Sequence, residues 1–270
     1  MYEEIKQMVK EAEAVLVFAG AGMSADSGLT TYQDTEGFYR EYPIYKELNK
    51  SYVSMMSSET LLIEPYLAWG YYAHQYRLYH HAIPHEGYTA LLELCLLKED
   101  YFIVTTNVDG LFKKVGFPEE KVHEVHGTIH RIQCSISCHR EVWQTEGLQI
   151  EIDYSTMKAL DHLPLCPKCG HLSRPNICMY GDTDERYVWE EAEKSAIRFR
   201  EWKTKNKQRK VLILEIGVGT DGLKRHTERV RADFEDLQVV RINPEPEPER
   251  EVVTLPLCAR EALRLIQQAE

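Results

Sequence analysis

Four cysteines constrain this chain more than any other feature of its sequence. Cys134 and Cys138 form a C-x3-C pair, and Cys166 and Cys169 form a C-x2-C pair after a gap of about 27 residues. Each short turn can bring two thiolates within about 2.3 Å of one ion, so the two pairs together can close a tetrahedral zinc cage. The sequence therefore predicts a structural zinc module within residues 132–171.

Length and composition narrow the class of protein. A chain of 270 residues with 43% hydrophobic content can bury a large core. Seven cysteines, four of them at zinc spacing, favour a reducing compartment, so we expect a cytoplasmic protein. Neither a membrane span of about 20 apolar residues nor a signal peptide is recognisable. The net charge of −11 argues against nucleic acid as a partner, and the oligomeric state stays open.

Strand and helix patterns alternate along the chain. Short apolar runs, typical of strands that are buried on both faces, occupy residues 15–18, 101–105, 211–214 and 239–242. Helical patterns occupy residues 2–14, 88–94, 187–206 and 259–268. This alternation predicts an α/β fold with a Rossmann-like, doubly wound parallel sheet.

The chain divides into a large and a small domain on these patterns. Residues 36–82 are rich in Tyr, Met and His at helical spacing and carry no strand pattern, so we interpret them as a helical insertion. Together with the zinc module, 132–171, they are predicted to form the small domain. Residues 1–35, 83–131 and 172–270 are predicted to form the dinucleotide-binding domain.

Polar and glycine-rich residues follow each predicted strand, where open α/β sheets bind their ligands. Gly20, Gly22 and Ala25 fit the phosphate fingerprint G-x-G-x-x-G/A, in which the glycines permit a tight turn and close approach to a pyrophosphate. The fingerprint alone is a weak signal, and no ribose-binding acid follows about 20 residues later, which disfavours a standard dehydrogenase. Asn107 and Asp109 follow the second strand, where they can contact a ligand. The alternative is that they only cap the helix that begins near Gly110.

Five segments follow one another in a specific order and spacing. Residues 20–28 read G-A-G-M-S-A-D-S-G, 105–109 read T-T-N-V-D, His126 precedes a glycine, and 166–170 and 174–177 read C-P-K-C-G and R-P-N-I. Over nearly the whole chain, these segments resemble the sirtuin family of NAD-dependent protein deacylases, whose motifs are G-A-G-x-S-x-x-S-G, T-Q-N-I-D and H-G.

The resemblance implies NAD and zinc as cofactors and an acyl-lysine protein or peptide as substrate. It makes His126 the catalytic base and lets Asn107 orient the ribose and the attacking water, while Asp109 holds the nicotinamide amide. It implies that NAD is bound by Gly20, Ala21, Gly22, Ser24, Ser27, Tyr32, Gln33, Thr106, Asn107, Val108, Asp109, Gly217, Gly219, Thr220 and Asn243. The zinc ligands are the four cysteines, which leave no open coordination position for water.

The implied reaction joins the acyl oxygen of a modified lysine to the ribose carbon that nicotinamide leaves. A neutral histidine then removes a proton from a ribose hydroxyl, and water completes the transfer. The products are nicotinamide, O-acyl-ADP-ribose and free lysine. A histidine with a pKa near neutrality suits this proton transfer, which agrees with the role implied for His126.

Several positions depart from the family pattern and indicate a divergent, bacterial-type member. Gln33 stands where the family has arginine, Thr106 replaces glutamine, 217–219 reads G-V-G for G-T-S, and 177–182 reads I-C-M-Y-G-D for V-V-x-F-G-E. A mono-ADP-ribosyltransferase or NAD hydrolase on the same scaffold is therefore an alternative, as is a non-catalytic NAD- or ADP-ribose-binding module. His126 favours deacylation, because the transferase branch can dispense with that base. The acyl preference and the target protein are not readable.

Overall fold

The computed structural model of the chain describes residues 2–31, 35–145, 147–160, 162–219 and 222–267. Its strands are β1 (Ala14–Ala19), β2 (Asp100–Thr105), β3 (Val122–Glu124), β4 (Gly127–Cys134), β5 (Trp143–Gln144), β6 (Ile152–Asp153), β7 (Lys158–Ala159), β8 (Ser173–Ile177), β9 (Lys210–Ile216), β10 (Asp236–Ile242) and β11 (Val253–Leu255). Its α-helices are α1 (Tyr2–Glu11), α2 (Gly22–Ala25), α3 (Thr35–Glu41), α4 (Pro43–Glu47), α5 (Tyr52–Met55), α6 (Ser58–Ile63), α7 (Pro65–His81), α8 (Glu86–Leu96), α9 (Leu111–Val115), α10 (Glu190–Asn206), α11 (Gly222–Arg231) and α12 (Ala259–Gln267).

The main sheet contains six parallel strands in the order β11-β10-β9-β1-β2-β3. All six residues of β1 are buried, and its side chains alternate between two hydrophobic cores: Val15 and Val17 lie in one, Leu16 and Phe18 in the other. A strand covered on both faces must be apolar throughout, which explains its continuous hydrophobic run. The predicted doubly wound parallel sheet is confirmed.

The order of the strands locates the place where a ligand can bind. From β1 the chain builds outward through β2 and β3, and later adds β9, β10 and β11 on the other side of β1. The order therefore reverses between β1 and β9. In open α/β sheets, ligands bind beyond the carboxyl ends of the strands at such a switch point.

Helices α3 to α7 follow in succession between residues 35 and 81, so the prediction of a helical segment here is confirmed. They surround an aromatic core in which the rings of Phe38 and Tyr45 stack with their centroids 5.5 Å apart. Gly70 of α7 has no room for a side chain, because a Cβ atom there would meet the carbonyl group of Met157, next to β7. The aromatic run in the sequence therefore forms a core.

The remaining strands form two small antiparallel sheets. β4 pairs with both β5 and β8, and β6 pairs with β7. The predicted boundary between residues 131 and 132 falls inside β4, and the division into two domains stays a prediction. Among the described residues, no helix combines the length and apolar character needed to cross a bilayer.

Candidate active site

The loops that follow β1, β2, β9 and β10 meet at one edge of the main sheet. Backbone hydrogen bonds join them: the Gly20 N–H donates to Ile216 O (3.0 Å), the Thr106 N–H to Ala19 O (3.2 Å) and the Gly217 N–H to Ile242 O (2.9 Å). Parallel strands in register place their carboxyl ends side by side, and the sequence places polar residues there. The expected convergence of these segments is present.

The glycines of two of these loops allow the loops to touch. A Cβ atom on Gly20 would lie 2.5 Å from Gly217 O, and one on Gly22 would lie 2.6 Å from the Gly217 Cα. Gly217 itself has a φ of 57°, in the left-handed region that favours glycine. The Gly22 N–H donates to Gly217 O (3.2 Å). The small size of these residues thus serves the contact between the β1 and β9 loops.

A buried polar network has Ser24 at its centre. The Ser24 hydroxyl donates to Asp109 Oδ2 (2.6 Å) and lies 2.9 Å from the Tyr88 hydroxyl. The Asn107 side-chain amide donates to Ser24 Oγ (3.0 Å) and to Gly20 O (2.9 Å). Because the single Ser24 proton is directed at Asp109, the Tyr88 hydroxyl must donate to Ser24. The network fixes Asn107 and Asp109 relative to the glycine loop.

Burial controls the electrostatics of this network. The pKa of Asp109 is raised by burial, although hydrogen bonds from the Leu111 N–H (2.9 Å) and the Ser24 hydroxyl oppose the rise. Burial, with the nearby Asp109 carboxyl as a smaller cause, raises the pKa of Tyr88 well above its usual value. One Asp109 oxygen therefore accepts from the first N–H of α9, that of Leu111, and the other from Ser24. The N-cap of α9 is Gly110, so Asp109 contacts the helix start from one residue before the cap.

His126 lies between β3 and β4, next to the loop that follows β2. Its side chain keeps contact with solvent, yet the protein packed around the ring lowers the pKa below the ordinary 6.5, and a hydrogen bond to the Thr106 backbone opposes the decrease. The carbonyl oxygen of His126 accepts from the Cys178 N–H (2.9 Å), which ties this residue to the segment after β8. At neutral pH the imidazole is therefore mostly uncharged.

The segment after β8 is held by a buried ion pair. Arg174 and Asp182 are almost completely buried, and the guanidinium donates to both carboxylate oxygens at 2.6 and 2.7 Å. Arg174 also donates to Ile177 O (2.7 Å), and the Met179 N–H donates to Asp182 Oδ2 (2.7 Å). The pair therefore fixes the turn whose residue Cys178 contacts His126.

The other predicted cofactor-binding residues have the following positions. Ser27 Oγ accepts from the His85 N–H (3.0 Å), and Asn243 donates from its side chain to Val218 O (3.2 Å). The carbonyl oxygens of Ala21 and Val108 accept backbone hydrogen bonds, and Gly219 has open space at its Cβ position. Tyr32, Gln33 and Thr220 lie outside the described residues.

Sequence reasoning missed Tyr88 and the Arg174–Asp182 pair. Tyr88 lies in α8, and its hydroxyl contacts Ser24, which is 64 residues away in the sequence. Tyr88 neither follows a strand nor belongs to a local motif, so the sequence does not identify it as a site residue. Arg174 and Asp182 lie eight residues apart. Arg174 lies within β8 and needs a carboxylate nearby because it is buried, and the structure alone shows that burial.

The four predicted metal ligands lie together as a compact cluster. All four sulfur atoms lie within 4.8 Å of one another, with Cys134 Sγ 3.6 Å from Cys169 Sγ and Cys138 Sγ 3.7 Å from Cys166 Sγ. Four ligands at about 2.3 Å from a tetrahedral ion lie about 3.8 Å from each other, so the spacing fits zinc. His139 Nε2 lies 3.3 Å from Cys166 Sγ and can support that ligand from outside.

Relatives of this chain carry names that agree with the motifs. An NAD-dependent protein deacylase from Thermococcus kodakarensis is 31% identical over 186 residues, which cover 69% of this chain and 66% of that protein. An NAD-dependent protein deacylase 2 from Pseudomonas aeruginosa is 31% identical over 181 residues, covering 65% and 64%. The chain thus matches about two thirds of the length of these relatives.

Solved structures agree with the fold. The crystal structure of a Sir2 homolog–NAD complex has a TM-score of 0.75 at 20% identity, over 99% of this chain and 93% of that one. A Sir2 protein with a deacetylated p53 peptide and 3′-O-acetyl-ADP-ribose has a TM-score of 0.64 at 20% identity, over 98% and 97%. At this identity, the likeness establishes the fold and not the activity.

A sequence model of the Sir2 family matches residues 20–198. That range is more than half of the 270 residues and includes the glycine loop, the Asn107 segment, His126 and all four clustered cysteines. The resemblance to the sirtuins is therefore confirmed: the chain belongs to the Sir2 family.

Proposed function

We propose that the chain is an NAD-dependent protein lysine deacylase that yields nicotinamide, O-acyl-ADP-ribose and free lysine. The observation that carries this proposal is the place of the His126 imidazole, hydrogen-bonded to the Thr106 backbone at the strand ends where Asn107, Ser24 and Asp109 form a fixed network. The names of the relatives support it, as does a solved structure of similar fold that contains a Sir2 protein and a deacetylated p53 peptide.

The residues at the strand ends fit a dinucleotide. Backbone of the β1 and β9 loops lies in direct contact at the switch point, and side-chain amides, a hydroxyl and a carboxyl lie beside it. We assign Gly20, Gly22 and Gly217 to the phosphate-bearing part and Asn243 to the adenosine part, with Tyr32, Gln33, Thr106, Val108, Gly219 and Thr220 as further contacts.

NAD, when bound, supplies a ribose carbon at which the acyl oxygen of the lysine substrate can replace nicotinamide. His126 accepts a proton at a ring nitrogen, which its low pKa leaves unprotonated at pH 7. Asn107 orients the ribose and a water molecule, because its amide is held at two points by Gly20 and Ser24. Asp109 is held by Ser24 and Leu111 and positions the amide of nicotinamide.

The pH dependence follows from the state of His126. A base must be neutral to act, and burial lowers the pKa of His126 below 6.5, so the rate should rise with pH as the imidazole loses its proton. The acid limb of kcat/KM should therefore have its midpoint below 6.5, and an imidazole with a raised pKa would place the midpoint above it.

We also propose that the four cysteines hold one zinc ion with a structural role. Their spacing and their sulfur-only donor set fit zinc, and four thiolates occupy all positions of a tetrahedral site. We propose in addition a cytoplasmic location, because free thiols at zinc spacing suit a reducing compartment, and a protein rather than a nucleic acid or a membrane as partner.

One incubation tests the proposed activity. The protein is given NAD and an acetyl-lysine peptide, and nicotinamide, O-acetyl-ADP-ribose and protein-bound ADP-ribose are measured by mass spectrometry. Deacylation should produce nicotinamide and O-acetyl-ADP-ribose. Protein-bound ADP-ribose would instead indicate a mono-ADP-ribosyltransferase, free ADP-ribose an NAD hydrolase, and binding without products a non-catalytic module.

The assignment of the base is tested by His126→Ala. We expect a loss of deacylation of at least about 100-fold, since general base catalysis contributes roughly that much. His81→Ala, at an exposed histidine of α7, is the matched control and should keep its activity. Equal activity of both variants would overturn the role of His126.

A further inference from the structure

A ring of four charges lies among β9, β10, α11 and the loop that follows β10. Glu215 of β9 is fully buried and stands opposite Arg241 of β10 in the parallel register, and Arg241 Nε donates to Glu215 Oε2 at 2.7 Å. Arg231, at the end of α11, donates to Glu215 Oε1 at 2.5 Å. Glu249 closes the ring by accepting from Arg231 and, at 2.7 Å, from Arg241.

The ring is balanced in charge and in hydrogen bonds. Two carboxylates face two guanidinium groups, and Thr227 of α11 adds a hydrogen bond of 2.7 Å to Glu215 Oε1. Placing a carboxylate inside a protein is unfavourable unless opposite charges and donors surround it. Glu215 meets this requirement only while the loop with Glu249 keeps Arg231 and Arg241 in position.

The acidic, proline-rich segment 244–249, which reads P-E-P-E-P-E, acquires a role from these contacts. Its Glu249 contacts the last turn of α11 through Arg231. Its Glu247 pairs with Lys224 near the start of α11 at 2.6 Å, and the Glu247 carbonyl accepts from Arg241 at 3.1 Å. The segment therefore holds α11 near both of its ends.

The ring lies directly behind two positions of the candidate active site. Gly217 lies two residues after Glu215, directly past the end of β9, and Asn243 lies two residues after Arg241, directly past the end of β10. The loops that follow β9 and β10 are also joined to each other, since the Asn243 side chain donates to Val218 O at 3.2 Å. A displacement of α11 or of the β10 end would therefore move the β9 loop against Gly20 and Gly22.

We propose that the ring positions the dinucleotide-binding loop after β9 and the Asn243 side chain, with Glu249 as the positioning residue at its solvent edge. This inference rests on the proposed use of NAD. Glu249 lies behind the loop and acts through Arg231, Arg241 and α11. Its removal should weaken dinucleotide binding while the chemical step at His126 stays nearly unchanged.

The test is Glu249→Gln, which keeps the shape of the side chain and removes its charge. The matched control is Glu251→Gln, because Glu251 is 82% exposed and pairs only with the neighbouring Arg250 among the described residues. Binding of ADP-ribose is measured by calorimetry, and KM for NAD and kcat are measured with an acetyl-lysine peptide. We expect Glu249→Gln to raise the ADP-ribose Kd and the KM about tenfold with kcat within about twofold, and Glu251→Gln to match the wild type.

The outcomes separate the inference from the proposed function. If the wild-type protein does not bind ADP-ribose, the proposed function is wrong. If it binds, and Glu249→Gln binds as the control does, the ring has no positioning role and the inference is wrong. An equal fall in kcat would also overturn it, because that result places the defect in catalysis.

A second variant covers the case in which Glu249→Gln does not fold. Glu249→Asp keeps the charge but shortens the side chain by one methylene, so it should fold and weaken ADP-ribose binding by a smaller factor. Glu247→Gln breaks only the exposed pair with Lys224 and should have the smallest effect. Unchanged binding in Glu249→Asp would contradict the inference.

Discussion

The main parallel sheet and the small β5–β4–β8 sheet are stabilised in different ways. In the main sheet, β1 has only apolar side chains and is buried on both faces. In the small sheet, the buried residues include Gln133, Arg174 and Asn176, and Asn176 donates to Gln133 Oε1 at 2.9 Å. Strand β1, at the centre of the first region, is stabilised by apolar burial, and buried ion pairs such as Glu215–Arg241 lie on other strands of that sheet. The second region depends on polar pairs and on the cysteine cluster.

The difference teaches where each region is vulnerable. Apolar burial is non-directional and tolerates small shifts, whereas a buried ion pair or a metal site is lost when a single partner is removed. The candidate active site lies between the two regions, because His126 connects β3 of the main sheet to β4 of the small one. Perturbations of the two regions should therefore reach the site by separate routes.

The largest effect is expected from removal of the metal. Binding of a structural zinc ion contributes on the order of 10 kcal/mol to the folding of its module. Cys166→Ser should abolish zinc binding and unfold the segment between β4 and β8, while β1 and β9 keep their protection from hydrogen exchange. Cys95→Ser, at a buried thiol outside the cluster, is the control for zinc content. Retention of stoichiometric zinc by Cys166→Ser would contradict the assignment.

The next largest effect is expected from the buried ion pair. Asp182→Asn removes one charge from a pair that is almost fully buried and leaves Arg174 without its counter-charge. Breaking such a pair costs about 3 to 5 kcal/mol of unfolding free energy, which chemical denaturation can measure. Asp184→Asn, at an exposed carboxylate two residues further along the chain, is the control. A loss below about 1 kcal/mol for Asp182→Asn would show that the pair is not a stabilising contact.

A smaller effect is expected where the β1 and β9 loops touch. Gly217→Ala places a Cβ atom against the Gly22 backbone and requires a positive φ, so we expect a loss of about 2 kcal/mol and weaker ADP-ribose binding. Gly219→Ala is the matched control for stability in the same loop, because no protein atom lies within 4 Å of its Cβ position. If the two variants have equal free energies of unfolding, the contact between the loops does not constrain the site.

The smallest effect is expected from Tyr88→Phe. The change removes the hydrogen bond to Ser24 Oγ and keeps the ring, so the stability should fall by about 1 kcal/mol. Ser24 still receives the Asn107 amide and still donates to Asp109, so we expect activity to fall by less than about tenfold. Tyr79→Phe, at a partly exposed ring of α7, is the control. A larger loss of activity would give Tyr88 a direct catalytic role.

The sequence predicted the central strands of the main sheet because burial on both faces leaves a continuous apolar run. It missed β3 (Val122–Glu124) and β11 (Val253–Leu255), which have three residues each and show no such run. The helical pattern in the sequence predicted a first helix to residue 14, whereas α1 ends at Glu11, because Ala14 already pairs as the first residue of β1. These errors arise because short strands and strand pairing leave no clear pattern in the sequence.

The candidate site was predictable only where local sequence encodes it. The cysteine cluster follows from spacing along the chain, and Asn107 and Asp109 follow from their place after a buried strand. Contacts between distant segments carry no local signature. The pairing of Glu215 with Arg241 depends on the register of β9 and β10, and that of Tyr88 with Ser24 on the packing of α8.

The most direct test of the proposed mechanism is a crystal structure of the protein with ADP-ribose bound. We expect the ribose to lie beyond the carboxyl ends of β1 and β9, with a His126 ring nitrogen within about 4 Å of a ribose hydroxyl. Asn107 should contact the same ribose without losing its bond to Ser24. A His126 ring turned away from the sugar and separated from it by more than about 12 Å, several times a hydrogen-bond length, would contradict the assignment of the base.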